Sequence, residues 1–253
     1  MDRPPGVCGT LVRADLAERF PAWVGRPAGE SWLPGPLLFA DRLDDALEQV
    51  ARRRGTPGPA VAGASLFEGY VQRVVPPALV AWLEEGRSVR AGPDDVRVAW
   101  SDGRVAQVAF ADAVVGNRSP LADLMDHHLA PAVGVVHERT GVGTRVLRGA
   151  VAHAVSVAFL HVGWRGAEPA AQIGRLREVL DEHGLGDLVR ADDPEVDGTR
   201  WLYAERRTCC LAFRAGDRAR APSFCATCPV VPESERRRSF REAVTAYRQR
   251  HGR

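Results

Sequence analysis

Apolar residues recur at helical spacing through most of the chain, and strict alternation is confined to a short stretch near position 100. From Pro36 to Arg54 the residues Leu37, Leu43 and Leu47 predict a helix. Ser65-Leu66-Phe67-Glu68 has the form of a capping box, in which hydroxyl and carboxylate satisfy free N–H groups, so a helix is expected to begin there. Leu66, Tyr70, Val71, Val74 and Val75 continue it until Pro76-Pro77, where two missing backbone donors predict a break or kink before Leu79 to Leu83.

Val96, Val98 and Trp100 alternate with polar or small residues, and Val105 to Phe110 follows Asp102-Gly103, which predicts a hairpin with a tight turn. Ser119-Pro120 opens a helix whose apolar face runs from Leu121 to Val136 and ends near Gly141. Two more are expected, Thr144 to Val162 stopped by Gly163 and Pro169 to His183 stopped by Gly184. Asp192 to Gly198 reads as a surface connection, Thr199 to Tyr203 as extended chain, and Glu233 to Arg250 as a final helix presenting Phe240, Val244 and Tyr247. Helices with one local hairpin and no repeated β-α unit predict an α+β fold, mostly helical, with a small β-hairpin or sheet. Two regions are expected: residues 1–198 as a substrate-binding helical α+β body and 199–253 as a cysteine-bearing segment, with one continuous domain as the alternative.

The 253 residues, 45% apolar and 26% charged, suffice for a sizeable core. A net charge of +2 gives no domain-scale basic excess, so no nucleic-acid partner is expected. All 34 basic residues are Arg, a bias that lowers the weight of any single one. No signal-peptide pattern is evident, and the longest weakly charged apolar stretch, Gly149 to Leu160, is shorter than the roughly 20 residues of a membrane span. A cytoplasmic location is the expectation. In that reducing compartment clustered cysteines are metal ligands or reactive thiols more often than disulfides.

Four of the five cysteines are clustered: Cys209-Cys210, fourteen residues, then Cys225-Ala226-Thr227-Cys228. Soft thiolates select zinc, cuprous copper or iron–sulfur clusters. Structural zinc favours two Cys-x-x-Cys-type knuckles, and only the second half has that form. Adjacent cysteines on extended backbone point to opposite faces, so a turn at Cys209-Cys210 is required, and two sulfurs turned together suit a binuclear centre. A [2Fe–2S] cluster is therefore expected ahead of zinc, while Cys8 reads as an isolated thiol. His127, His128, His137, His153 and His161 lack a complete ligand pattern and are expected to be packed or surface residues. No glycine-rich phosphate loop is present, so a bound nicotinamide or flavin has no support.

The Cys209-Cys210 and Cys225-x-x-Cys228 motif near the C-terminus resembles that of the FhuF family of ferric-siderophore reductases. Ala64 to Tyr70 with Arg73, and the run from His128 through Pro131 to Val151, are similar to that family's early and central helices. The spacing departs from the family's usual ten residues between the two cysteine pairs, and Leu211 to Phe224 is long enough to add a surface loop at little entropic cost.

The resemblance implies a [2Fe–2S] cluster on Cys209, Cys210, Cys225 and Cys228. It further implies one-electron reduction of a ferric siderophore, the hydroxamate type being the first expectation, with Fe(II) released in the cytosol. The electron would come from a ferredoxin-like protein or reduced flavin. Tyr70, Arg73, Arg206 and Arg207 are candidate substrate contacts, the last two because they precede the first ligand. Arg236 to Arg238 reads as a solvated helix face, or as a dock for an acidic donor. A zinc-stabilised binding module and a cysteine-based redox sensor are the alternatives.

Overall fold

The structure, a computed structural model, describes residues 3–56, 58–116, 118–166, 168–216 and 224–252. Its first strands are β1 (Val7–Thr10), β2 (Ala22–Gly25) and β3 (Trp32–Pro34), followed by a 3₁₀ turn at Gly35–Phe39 and helix α1 (Leu43–Arg54). The expected helix from Pro36 is thus divided, because Ala40 leaves helical geometry and α1 starts only at Leu43. Asp44 and Asp45 lie in the first turn of α1 and Arg52 to Arg54 in its last, which complements the helix dipole.

Helix α2 (Pro59–Glu85) corrects two expectations. It begins six residues before Ser65, with proline in the first turn after Gly58, so Ser65 and Glu68 lie inside it and cap nothing. It also continues through Pro76 and Pro77, so the helix is not broken there. An interior proline costs about 3 kcal/mol or more. Against this, Val74, Val75, Leu79 and Val80 are fully or almost fully buried, at about 1.5–3 kcal/mol each, so tertiary packing outweighs the lost backbone bonds.

β4 (Arg87–Val89) pairs with β7 (Ala113–Val115), and between them β5 (Val96–Ser101) and β6 (Arg104–Phe110) form the expected hairpin. Asp102 and Gly103 take positive φ values of 51° and 67°, as a tight hairpin turn demands. The hairpin belongs to a larger sheet, in the order β1-β2-β6-β5-β3, with β2 and β6 parallel and the other neighbours antiparallel. One face of this sheet gives Val96, Val98, Val108 and Phe110 to the main core, and the other packs Val7, Trp23, Trp32 and Ala109 together.

α3 (Leu121–Leu124), a π-helical turn (Met125–Leu129) and α4 (Ala130–Thr140) form the expected helix up to Gly141. α5 (Thr144–Gly163) follows and lies along α2, making the most extensive helix contact in the fold. It is long and apolar enough to cross a membrane by composition, but it is mostly buried in the protein as a core helix. α6 (Pro169–Glu182) is capped by the Glu168 carboxylate, which accepts from the Ala171 N–H at 2.8 Å.

β8 (Val189–Asp192), β9 (Glu195–Val196), β10 (Thr199–Arg200) and β11 (Tyr203–Arg206) form two short ladders, β8 with β11 and β9 with β10, so strand pairing crosses position 198. α7 (Glu233–His251) seats Phe240 and Val244 on Val196, Trp201 and Tyr203. The architecture is α+β, with α2 and α5 at its centre.

Candidate metal centre

The thiols lie where β11 ends and before α7 begins. Cys209-Cys210 follows Arg206 by three residues, and the chain turns there: Leu211 takes a left-handed φ of 61° and donates its N–H to Cys209 Sγ at 3.3 Å. A Leu in this region is strained, and the turn releases the adjacent cysteines from opposite faces. Cys225 to Cys228 closes as a second turn, Cys228 donating its N–H to the Cys225 carbonyl at 3.0 Å. Val231 then bonds to the Cys228 carbonyl at 3.1 Å, one residue before Pro232 leads into α7.

Cys228 is buried, Cys209 and Cys210 are half-buried, and Cys225 is exposed. The thiols of Cys210 and Cys225 are hydrogen-bonded to each other, and Cys209 and Cys228 are close enough to influence this pair electrostatically. The bond from Cys225 brings Cys210 down to about 6 against the opposing effect of burial, with the Ala212 N–H and the Arg206 charge assisting. Cys225 is pushed up by the same bond, and burial raises Cys209. Cys8 is exposed and far away in sequence.

Arg206 is almost completely buried, with 2% of its side chain accessible. Its two Nη groups donate to Glu68 Oε1 and Oε2 at 2.9 and 3.0 Å, a bidentate pair joining β11 to α2. His153 Nδ1 lies 3.3 Å from Glu68 Oε1 and 3.0 Å from the Gln72 amide nitrogen. Burial opposes ionisation of Glu68, but the His153 bond and the Arg206 charge outweigh it and hold the carboxyl below its usual range. Burial likewise works against the Arg206 charge and is outweighed by Glu68, with Cys210 and Cys225 adding to the effect.

By residue type, four thiols are a donor set suited to a thiolate-ligated group. Four thiols from two turns lie within mutual electrostatic influence, and the buried Arg206 Nε, with no hydrogen-bond partner among the described residues, belongs to the guanidinium that feels Cys210 and Cys225. Among the described residues, no three His, Cys, Asp or Glu side chains already stand together as a ready ion site.

The other candidates fall in different places. Arg207 is exposed and Arg73 half-buried, the latter on the wall of a cavity of about 480 Å³ that Glu68 also lines. Tyr70 is fully buried; its hydroxyl is 3.0 Å from His128 Nδ1, while His128 Nε2 lies 3.1 Å from the carbonyls of both Ala91 and Gly92. Nε2 therefore donates and Nδ1 accepts from Tyr70, a pairing internal to the core. Arg236 and Arg237 are ion-paired to Glu205 at 3.1 Å and Asp192 at 2.6 Å, so of that trio Arg238 is the exposed one, reaching Glu242 only at 3.9 Å.

Sequence patterning missed the role of Glu68, read as a cap, and of His153. Both lie at helix-interior positions whose partners are far away in sequence. No protein-family model matches the chain, and no curated protein matches it.

Proposed function

We propose that this chain is a cytoplasmic [2Fe–2S] oxidoreductase that passes one electron to a ferric siderophore and so releases Fe(II). The observation that carries this reading is the meeting of the two cysteine turns, in particular the adjacent Cys209-Cys210 pair turned by a left-handed Leu211 toward Cys225. Cys209, Cys210, Cys225 and Cys228 would hold the cluster. When bound, the cluster supplies single electrons to Fe(III), whose affinity for hard oxygen ligands falls on reduction.

The rest is done by fixed charge and exposure. Glu68 holds Arg206 in place, and Arg206 sets a buried positive charge beside Cys210 and Cys225, which favours the added negative charge of a reduced centre. Cys225, exposed, marks the edge that a ferredoxin-like protein or a reduced flavin would approach.

Iron and acid-labile sulfide are measured on anaerobically purified protein, with Cys210→Ser and Cys228→Ser beside it. Reduced protein is then mixed with ferric siderophores and a ferrous trap. Equal iron and sulfide, lost in both variants, together with trapped Fe(II), are expected. Zinc without sulfide, or no Fe(II) from any siderophore, would sink the reading. A cysteine redox sensor is the second reading, favoured by the lowered Cys210 thiol against Cys225; it requires an oxidised Cys210–Cys225 pair in protein without iron.

A further inference from the structure

Glu68 has two neighbours of opposite character. One is Arg206, beside the cysteines; the other is the cavity of about 480 Å³, a volume within the roughly 300–1,000 Å³ of small-molecule sites. Five arginines line that cavity from four separate segments. Arg19 comes from the loop before β2, Arg53 and Arg54 from the end of α1, Arg73 from α2, and Arg104 from the start of β6.

Among the described residues, none of these five forms a salt bridge with a carboxylate. Arg53 donates to the Asp102 carbonyl at 3.2 Å, and Arg19 stands 5.7 Å from the Phe20 ring centre. Among the described residues the carboxylate on the wall is Glu68, and it is already committed to Arg206. Two other half-buried arginines are matched by carboxylates, Arg236 by Glu205 and Arg237 by Asp192. Arg73 has no such carboxylate among the described residues, and its charge is disfavoured by burial and by the neighbouring charge of Arg104. A concave group of like charges without internal compensation attracts and concentrates anions.

The wall also borders the cysteine loop. A side-chain atom added at Gly55, directly after Arg54, would lie 3.6 Å from the Gly216 backbone, so the loop leaving Cys210 passes this corner.

We propose that this cavity is the chelate subsite of the reductase and selects ferric chelates of net negative charge over neutral ones, a proposal that rests on the reductase reading. A ferric tris-catecholate is anionic, whereas a ferric tris-hydroxamate is neutral, so the charge of the wall points away from the first expectation of a hydroxamate. The arginines also act on the redox step. Transfer of one electron from the reduced centre to Fe(III) breaks no covalent bond and adds one negative charge to the chelate. Guanidinium groups around it stabilise the reduced complex more than the oxidised one. Apolar contact is available from Trp100 and Val105 on the same wall.

Gallium complexes test binding apart from reduction, because Ga(III) matches Fe(III) in charge and is not reduced by the protein. Calorimetric titration of the full chain with Ga(III) tris-catecholate and Ga(III) tris-hydroxamate is expected to show the anionic complex bound about tenfold or more tightly, a gain of about 1.4 kcal/mol. That preference should shrink with added salt. Arg73→Gln and Arg104→Gln should each weaken catecholate binding about fivefold and leave hydroxamate binding unchanged, with Arg238→Gln as the neutral control. Arg104 is exposed beside a turn, so its variant keeps the fold if Arg73→Gln does not.

Equal binding of the two complexes, or anion binding indifferent to both variants, overturns the subsite. Fe(II) release without charge preference overturns it while leaving the reductase reading intact. Selective anion binding without Fe(II) release does the reverse.

Discussion

Glu68→Gln perturbs the junction between helix α2 and the strand that leads into the cysteines. Arg206 is buried and makes both of its ion-pair bonds to this carboxylate, at 2.9 and 3.0 Å, so the variant leaves a guanidinium inside the protein without a counter-charge. At an effective dielectric constant of about 20, opposite charges about 4 Å apart attract by about 4 kcal/mol. Breaking one side of a buried pair costs about 3–5 kcal/mol. Glu68 retains 20% side-chain exposure, which places the expected loss at the lower end, about 3 kcal/mol, against a total stability of roughly 5–15 kcal/mol.

Urea unfolding at neutral pH should move to a clearly lower midpoint with an unchanged slope. The double variant Glu68→Gln/Arg206→Met should lose less than the sum of the two singles, because it removes both charges. The pH dependence has a definite sign. Glu68 is depressed in the folded state, so its contribution is present above the unfolded carboxyl value near 4.3 and is lost as pH falls through the lower folded value. The variant should therefore lose part of the acid sensitivity below about pH 4. A loss under about 0.5 kcal/mol, as for a surface pair, or strict additivity in the double variant, would refute the reasoning.

Tyr70→Phe should cost about 1–2 kcal/mol in chemical denaturation by leaving His128 Nδ1 without its donor, and should not change chelate binding. Gly149→Ala places a Cβ 1.7 Å from Thr208 Oγ1, so α5 and the residue before Cys209 must separate; a loss of about 1–3 kcal/mol with reduced iron content is expected from calorimetry and metal analysis. His161, brought down to about 4 by burial and then by the charges of Arg19 and Arg165, faces Asp15 and His251 as well. Its neutral form is favoured by folding, so its contribution to stability falls as pH drops from about 6.5 toward 4, and His161→Phe should flatten the fall in melting temperature across that window.

The helices from Leu121 onward were legible because each joins a local apolar period to a local stop signal: Gly141 and Gly184 take φ values of 71° and 62°, which glycine adopts without strain. The Asp102-Gly103 turn was legible for the same reason. α2 was misread at its start, and its middle does not break, because a capping box and a proline pair are local signals, whereas α2 is held by contact with α5 and α4. Gly63 shows how close that contact is, since a Cβ there would meet Thr140 Oγ1 at 2.6 Å. Strands β1, β2 and β3 were hidden among Pro and Gly residues, being only three or four residues long and stabilised by pairing with partners such as Val108 and Val98.

By itself the sequence determined the α+β character, the later helices and the clustering of four thiols in two pairs, because residue type and short-range spacing suffice for these. Tertiary structure alone decided that Glu68 of α2 faces Arg206 of β11, 138 positions away, and that Arg19, Arg53, Arg54, Arg73 and Arg104 share one cavity. Charges so far apart in the chain have no common period or motif. Their interaction appears only once burial lowers the local dielectric and folding brings them within a few ångströms.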